Sequence, residues 1–469
     1  MSLTSALGVA ASGMTTSSRW AETVSNNIAN AGNAGFARRD LSVTTDPSGT
    51  PRASVITRAV DSSLDAMYRG EVARTATQDA IATGLSPYTT LLGDSESTTT
   101  VLTRLTDFQN ALDLLAVAPA DSAQQRTTVT AAQDLAATLN RAGDALSDTA
   151  GDTAAAITGD VAAINASLSR LLAMNDRISG GIEGEARLAL DDQIGSELDA
   201  LAELTDFTLR SDTKGRMELF TTGGTQLLSG SSAEVLQFDA ATGTLLAGEV
   251  DITPGRSGAR GIADGALAGK IALHSDILPE MQAQLDQVAG ALIDAMATAD
   301  PSLAAGETGL FTDAGAALGD DIAPGLASRI AINDAVLPEA GGAHWRIRDG
   351  IGATEPGAPG DNSLARAFGD ALSAATSFDE SAGLGARSSL PDYVATLIAS
   401  QNTTRVRAES SAAELAAGAV AVQSSRMAFS GVNIDDELQQ LISIQQSYAA
   451  NAKVLTVATE MIDTLLASA

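Results

Sequence analysis

The chain of 469 residues contains no cysteine. Disulfides, thiolate zinc sites and cysteine nucleophiles are thereby excluded. Only two histidines occur, His274 and His344, and no His-Glu-x-x-His pair, so a histidine-ligated metal centre is not expected. Aromatic residues make up 3% of the chain, which favours long helices meeting through small side chains over a large aromatic core. Bases are few, 28 against 58 acids, and the formal charge is −30. Nucleic acids and anionic membrane surfaces need a basic face, so neither is an expected partner. No apolar run approaches the ~18 residues of a membrane-spanning helix. The modestly apolar stretch 3–11 has no basic segment before it, and no cleavable secretory signal is expected.

What is present is a pattern at both ends. Leu3, Leu7, Ala10, Met14, Ser17, Ala21, Val24 and Ile28 alternate in steps of four and three, and Leu438, Leu441, Gln445, Tyr448, Ala452, Leu455, Thr459, Ile462 and Leu466 do the same. Such spacing makes a heptad seam along one helix face. The two ends read as halves of one coiled coil, with about 400 residues of other composition between them. Both seams are weakly apolar, and such helices are marginal alone in water. They are expected to order by packing, which places the function in contacts between subunits.

The interior divides by texture. Residues 1–30 read as one helix that ends in the turn-rich 30–35 segment. Residues 36–60 alternate around Asp46-Pro47-Ser48-Gly49, as in an extended hairpin. From 62 to 205 the period is helical. One helix passes through Val101, Leu105, Phe108, Leu112 and Leu115 and is broken at Ala118-Pro119-Ala120-Asp121. A second passes through Val129, Leu135, Leu139 and Leu146, and a third through Ile157, Val161, Ile164, Leu168 and Leu171. Strand patterns follow: 207–210 and 217–220 as a hairpin, then 235–238 and 244–246. Helix returns at 277–299. In the irregular stretch 300–360, Arg329–Ile332 and Trp345–Ile347 are predicted strands, and from about 363 helix dominates. The predicted fold class is mainly α with a β-rich insertion. The domains are a terminal assembly unit (1–35 with 430–469), a helical bundle (36–204, 270–299 and 361–429) and an outer β-rich insertion (205–269 with 300–360).

A search for catalytic constellations returns little. Gly265–Lys270 is one residue short of a phosphate loop, and Ile271 stands where Ser or Thr would bind magnesium. Ser211-Asp212-Thr213-Lys214 falls in a predicted turn without companion motifs. His274 precedes Ser275 and Asp276, but adjacency in sequence does not build a triad. The acidic runs at Asp191-Asp192, Asp320-Asp321 and Asp435-Asp436-Glu437 lack the alternating ligands of a calcium loop. The last is better read as the negative first turn of the final helix, where it favours the helix dipole. No cofactor, metal or enzymatic activity is expected.

Ser25-Asn26-Asn27-Ile28-Ala29-Asn30-Ala31, followed by Gly35-Phe36 and Arg38, resembles the N-terminal motif of bacterial flagellar rod, hook and hook-associated proteins. Ala34 stands for the usual Pro, Phe36 for Tyr and Ala37 for Ser. Ser430–Glu437, Gln445–Thr456 and Glu460–Leu466 resemble the C-terminal helix of the hook-associated members and its entry, and Gly265–Gly269, Asp276–Pro279, Gln282 and Gly360–Ser363 are similar to the interior of those members. The resemblance implies an uncleaved, type III exported structural subunit outside the cell, joining hook to flagellin filament. It implies contacts with copies of itself, with hook protein and with a second hook-associated junction protein, and an export chaperone on the C-terminal helix. The expected assembly residues are Leu3, Leu7, Met14, Val24, Asn26, Asn27, Ile28, Asn30, Leu438, Leu441, Gln445, Tyr448, Asn451, Leu455, Ile462 and Leu466. A hook or distal-rod subunit is the alternative within the family. A secreted enzyme using residues 205–350 is the alternative outside it.

Overall fold

The structure is a computed structural model that describes residues 3–33, 35–47, 49–93 and 99–468. Ala34 of the N-terminal motif and Ser48 of the hairpin turn lie outside the described residues. The chain opens with helix α1 (Leu3–Ala29), followed by the antiparallel hairpin β1 (Arg39–Thr45) and β2 (Pro51–Arg58). Four helices follow: α2 (Ser62–Leu92), α3 (Val101–Val117), α4 (Ser122–Ser179) and α5 (Gly184–Leu204). Asp61 caps α2 by accepting from the amides of Ser63 and Leu64, and Asp121 caps α4 by accepting from Ala123. Two three-stranded antiparallel sheets come next: β3 (Thr208–Ser211), β4 (Met217–Phe220) and β5 (Gln226–Leu228), then β6 (Leu236–Asp239), β7 (Thr244–Ala247) and β8 (Val250–Asp251).

Helix resumes with α6 (Ala266–Ala272) and α7 (Leu278–Ala299), joined by a π turn at Leu273–Ile277. Strands β9 (Phe311–Asp313) and β10 (Ile330–Ile332) pair, and the one-turn α8 (Arg346–Asp349) and α9 (Ser363–Ser373) follow. A second small hairpin, β11 (Thr376–Ser377) with β12 (Arg387–Ser388), precedes the two closing helices, α10 (Leu390–Ser430) and α11 (Ile434–Ser468). The mainly α fold with small sheets agrees with the class expected from the sequence.

Two hydrophobic cores sit along α4. The first gathers Leu85, Phe108, Leu112, Leu135, Leu139 and Leu285 with side chains of α9 and the start of α10. The second gathers Ile157, Ile164, Leu171, Leu190 and Leu201 with the inner faces of β4 to β7. The two stretches read above as one outer insertion bury their apolar side chains in different cores. Leu219, Leu228 and Leu245 lie in the second, and Phe311, Ile330 and Ile347 in the first.

The structure corrects three local readings. The predicted second and third helices of the bundle are one 58-residue helix, α4. Residues 147–153 look turn-forming, but they contain no proline. Thr149 and Thr153 send their hydroxyls back to the carbonyls of Ala145 and Thr149, both at 2.7 Å, so they do not compete for backbone amides. Trp345–Ile347 is not a strand. Three residues are too few to separate a period of two from 3.6, and the segment turns into α8, which Gly350 ends at φ 114°. Helix returns at Ala266 rather than 277. Pro279 has no N–H for the Ser275 carbonyl, and the chain widens into a π turn there.

Candidate functional site

The ends of the chain meet. Helices α1 and α11 pack against each other along their length. A Cβ at Gly13 would stand 2.7 Å from Asn451 Nδ2, and Asn27 Nδ2 donates to Glu437 Oε1 at 3.1 Å. The helices are therefore antiparallel. Each contact lies fourteen residues from the next on both helices, which is two heptads. Gly13, with no side chain, is what admits Asn451 so close. The inward side of α1 is small and polar: Ala10, Gly13, Thr16, Ser17, Thr23, Val24 and Asn27 are buried.

Asn27 is the pivot of the elbow beyond α1. Its side-chain amide pairs with the backbone of Arg39 in both directions, Nδ2 to the Arg39 carbonyl and Oδ1 from the Arg39 amide, each at 2.9 Å. It thus occupies a strand's place beside β1 while holding Glu437 of α11. Asn30 Nδ2 donates to the Asn26 carbonyl at 2.9 Å and closes the last turn of α1. The Arg38 amide donates to the Ser430 carbonyl at 2.8 Å, which fixes the hairpin to the end of α10. On the hairpin's other side, Ser12 Oγ donates to the Pro51 carbonyl at 2.5 Å.

Arginines carry this elbow onto the bundle. Arg39 reaches Glu185 at 2.5 Å and Asp192 at 3.4 Å, and Arg58 reaches Asp192 at 2.8 Å. Asp199 of α5 receives both Arg69 of α2 and Arg426 of α10, each at 2.7 Å, and Arg426 also meets Asp65 at 2.6 Å. The Arg426 guanidinium lies 5.0 Å from the Tyr68 ring centroid. Burial works against the Arg426 charge, and Asp199 and Asp65 outweigh it to leave its pKa raised. Burial raises the Glu437 carboxyl above its ordinary value, with the Asn27 hydrogen bond and the Arg38 charge pulling it down. Among the described residues Glu437 Oε2 and the Nε atoms of Arg38 and Arg39 are buried without a hydrogen-bond partner.

The sequence-predicted residues divide on this frame. Val24 and Asn27 are buried, and Leu3, Leu7, Met14, Asn26, Ile28 and Asn30 are half-buried. On α11, Leu441, Asn451, Leu455 and Ile462 are half-buried, while Leu438, Gln445, Tyr448 and Leu466 are exposed. The buried residues of α11 are Glu437, Ile444 and Ala458, with the seam residues Leu441, Leu455 and Ile462 half-buried between them, so the inward line keeps one half of the predicted seam and takes, for Leu438, Gln445 and Thr459, the residue one position earlier. Apolar character alone could not choose between the two lines. The small residues of α1 do, because they admit Asn451 and Glu437. An outer apolar stripe remains on α11, where Ile442, Val454, Val457 and Met461 are exposed; Leu465 and Leu466, also exposed, continue the inward face past the start of α1.

Sequence reasoning missed Gly13, Arg39, Asp192, Asp199 and Arg426. Asp191-Asp192 resembles a calcium pair in sequence, and the structure gives Asp192 to Arg39 and Arg58. No local signal marks such pairs, because each joins positions more than a hundred residues apart. His274, His344 and Lys214 have structural contacts. His274 Nε2 faces the Ala240 carbonyl at 3.2 Å, and His344 Nδ1 faces Val336 at 3.0 Å. Lys214 lies in the turn that Asp212 organises. Among the described residues no group of three or more His, Cys, Asp or Glu side chains could hold a metal ion, and no helix is long and apolar enough to cross a membrane.

Residues 86–302 match the family described as the flagellar hook-associated protein FlgK helical domain. Residues 423–468, which contain α11, match the flagellar basal body rod FlgEFG protein C-terminal family. The chain is 23% identical to flagellar hook-associated protein 1 of Bacillus subtilis (strain 168) over 492 residues, covering 95% of this chain and 94% of the relative. Among solved structures, the flagellar hook junction protein FlgK from Burkholderia pseudomallei is 22% identical with a TM-score of 0.44. That superposition covers 52% of this chain and 46% of that one. The helical domain and the C-terminal helix thus both match flagellar families, the likeness to a flagellar hook-associated protein runs over 95% of the chain, and together they support a structural role in the flagellum.

Proposed function

We propose that this chain is the adaptor between the flagellar hook and the filament, and that it assembles through its paired ends. The observation that carries the reading is the α1–α11 pair, whose inner side is closed within the chain while α11 presents an outer apolar stripe to water. Burying such a stripe against neighbouring subunits is worth about 25 cal/mol per Å², and it offsets the entropy of ordering two long helices. The terminal unit, residues 1–35 with 430–469, is the assembling part, and the assembly residues named from the sequence act there. The rest of the chain is carried by the arginine-anchored elbow. The partners are copies of this chain, hook protein and a second hook-associated protein, and the site is extracellular, reached by type III export without signal cleavage. An export chaperone covers the outer stripe of α11 beforehand. The chain acts as a structural subunit rather than an enzyme.

The test is electron microscopy of source cells lacking the gene, with the medium assayed for flagellin. Bare hooks and flagellin shed into the medium are the expected outcome. Absent hooks would mean a rod or hook subunit, and intact filaments would overturn the reading. Val454→Asp and Met461→Asp, both on the exposed stripe, are expected to restore export but not filaments.

A further inference from the structure

Between the two cores lies a trough that meets the elbow only at Tyr68. It has a volume of about 1190 Å³ and is walled by α2, α4 and α10. Sites for small ligands hold roughly 300–1,000 Å³. This one is long as well as large: its lining on α2 runs from Tyr68 to Leu91, about 35 Å at the helical rise.

The lining on each wall keeps helical spacing. Val72, Ala76, Ala80 and Gly84 mark one line on α2, and Ala145, Thr149, Thr153 and Ala156 mark another on α4. On α10, Ala416, Val420 and Met427 continue the wall. The first core ends on α4 at Leu146 and the second begins at Ile157. In the gap the inward residues of α4 are Thr149 and Thr153, whose hydroxyls are satisfied inside the helix, so the surface they leave is apolar. Small side chains make a channel here where leucines would have filled it. Leu91 and Val420 are exposed at its edges, Val420 by 66%.

Charge identifies the occupant. Four carboxylates line the trough, Asp79, Asp148, Asp152 and Glu203, and among the described residues none of them forms an ion pair. Its one ammonium, Lys270, is held by Asp160 at 2.7 Å. Covering these carboxylates with a neutral surface would desolvate them without return, whereas cations placed opposite them gain Coulomb energy. A second copy of this chain cannot supply those cations from its free helices. Helix α1 carries one base, Arg19, and α11 carries one, Lys453, beside five acids.

We propose that the trough docks an amphipathic α-helix of a different protein, apolar along one face and flanked on both sides by Lys or Arg. Bulky apolar side chains of that helix enter the alanine-lined floor, and its basic flanks meet the two acidic rims. About 18 residues, a helix of some 27 Å, fit within the walls.

The experiment is a display selection on the full chain. The library is an 18-residue helix with Leu, Ala and Met at positions i, i+3, i+4 and i+7, its flanks randomised among Lys, Arg, Glu and Gln. Counter-selection uses Thr83→Arg, an exposed lining residue, after circular dichroism shows that the variant is folded. Recovered helices are expected to carry Lys and Arg on both flanks. Their affinity should fall at least tenfold on Thr83→Arg and severalfold on Asp148→Asn/Asp152→Asn, and should weaken as salt rises. Acidic or neutral winners, equal affinity for Thr83→Arg, or no recovered helix would overturn the proposal. Sedimentation of the chain alone supplies a further check: self-association abolished by Thr83→Arg would make a second copy the occupant and overturn it too.

Discussion

Glu437 shows how one carboxylate can serve two ends of a chain. It stands in the first turn of α11, where a negative charge is favoured by the helix dipole, yet it is buried against Asn27 of α1. Burial raises its carboxyl above the ordinary 4.5. The folded chain therefore holds that proton to higher pH than the unfolded chain does. The resulting stability is fully present below 4.5 and is lost as pH rises through the folded value. Docking of α11 on α1 should accordingly tighten on acidification from neutral pH toward 4.5, and Glu437→Gln should remove that component. The measurement is the urea midpoint at pH 7 and pH 5, followed by Trp20 fluorescence in a Trp345→Phe background. An identical pH dependence in the Gln variant would show that Glu437 titrates normally. At this scale the sequence showed Asn27 within a motif and Glu437 within an acidic run. That the two touch across 410 positions was not legible, because a hydrogen bond between distant residues leaves no periodic trace.

Among the elements, α4 is the spine. Its first half belongs to one core and its second half to the other, so any bend between Leu146 and Ile157 would move the two cores relative to each other. Gly151 and Gly159 lie in this helix, exposed, with open space where a Cβ would point. Replacing each by Ala should stabilise the chain by about 0.5–1 kcal/mol, since glycine loses the most backbone freedom on entering a helix. A rise in thermal midpoint for the double variant checks this. An unchanged or lower midpoint would mean that the helix uses those glycines to flex. Helix existence was legible here from the 3.6 period. Continuity was not, because Ser147–Thr153 has a turn-like composition and only the back-bonded threonines show why it does not turn.

Across the whole molecule, the charge of −30 opposes every contact between copies. Exposed charges are felt over ~30 Å at 0.01 M salt and ~10 Å at 0.1 M. Self-association through the paired ends should therefore strengthen as sodium chloride rises from about 10 to 150 mM, opposite in sign to the basic helix in the trough. Light scattering across that range decides it, and association that weakens with salt would sink the apolar-stripe mechanism. The anchoring also belongs to this scale. Asp192 and Asp199 receive four arginines from the hairpin, α2 and α10, so a load on the terminal pair passes into the bundle through charge-assisted hydrogen bonds.

By itself the sequence determined the helix-rich class, the heptad spacing at both ends, the hairpin after α1 and the motif that marks the family. All of these are local or periodic, and residues close in the chain carry them. Only the tertiary structure decided which line of α11 faces inward, because Gly13 and Asn27 of α1 select it. It also decided that α4 is unbroken, that Asp192 serves arginines rather than a metal ion, and that a trough lies between the cores whose carboxylates form no ion pair among the described residues. Each of these depends on what a distant segment places opposite a side chain, and neither composition nor period carries that information.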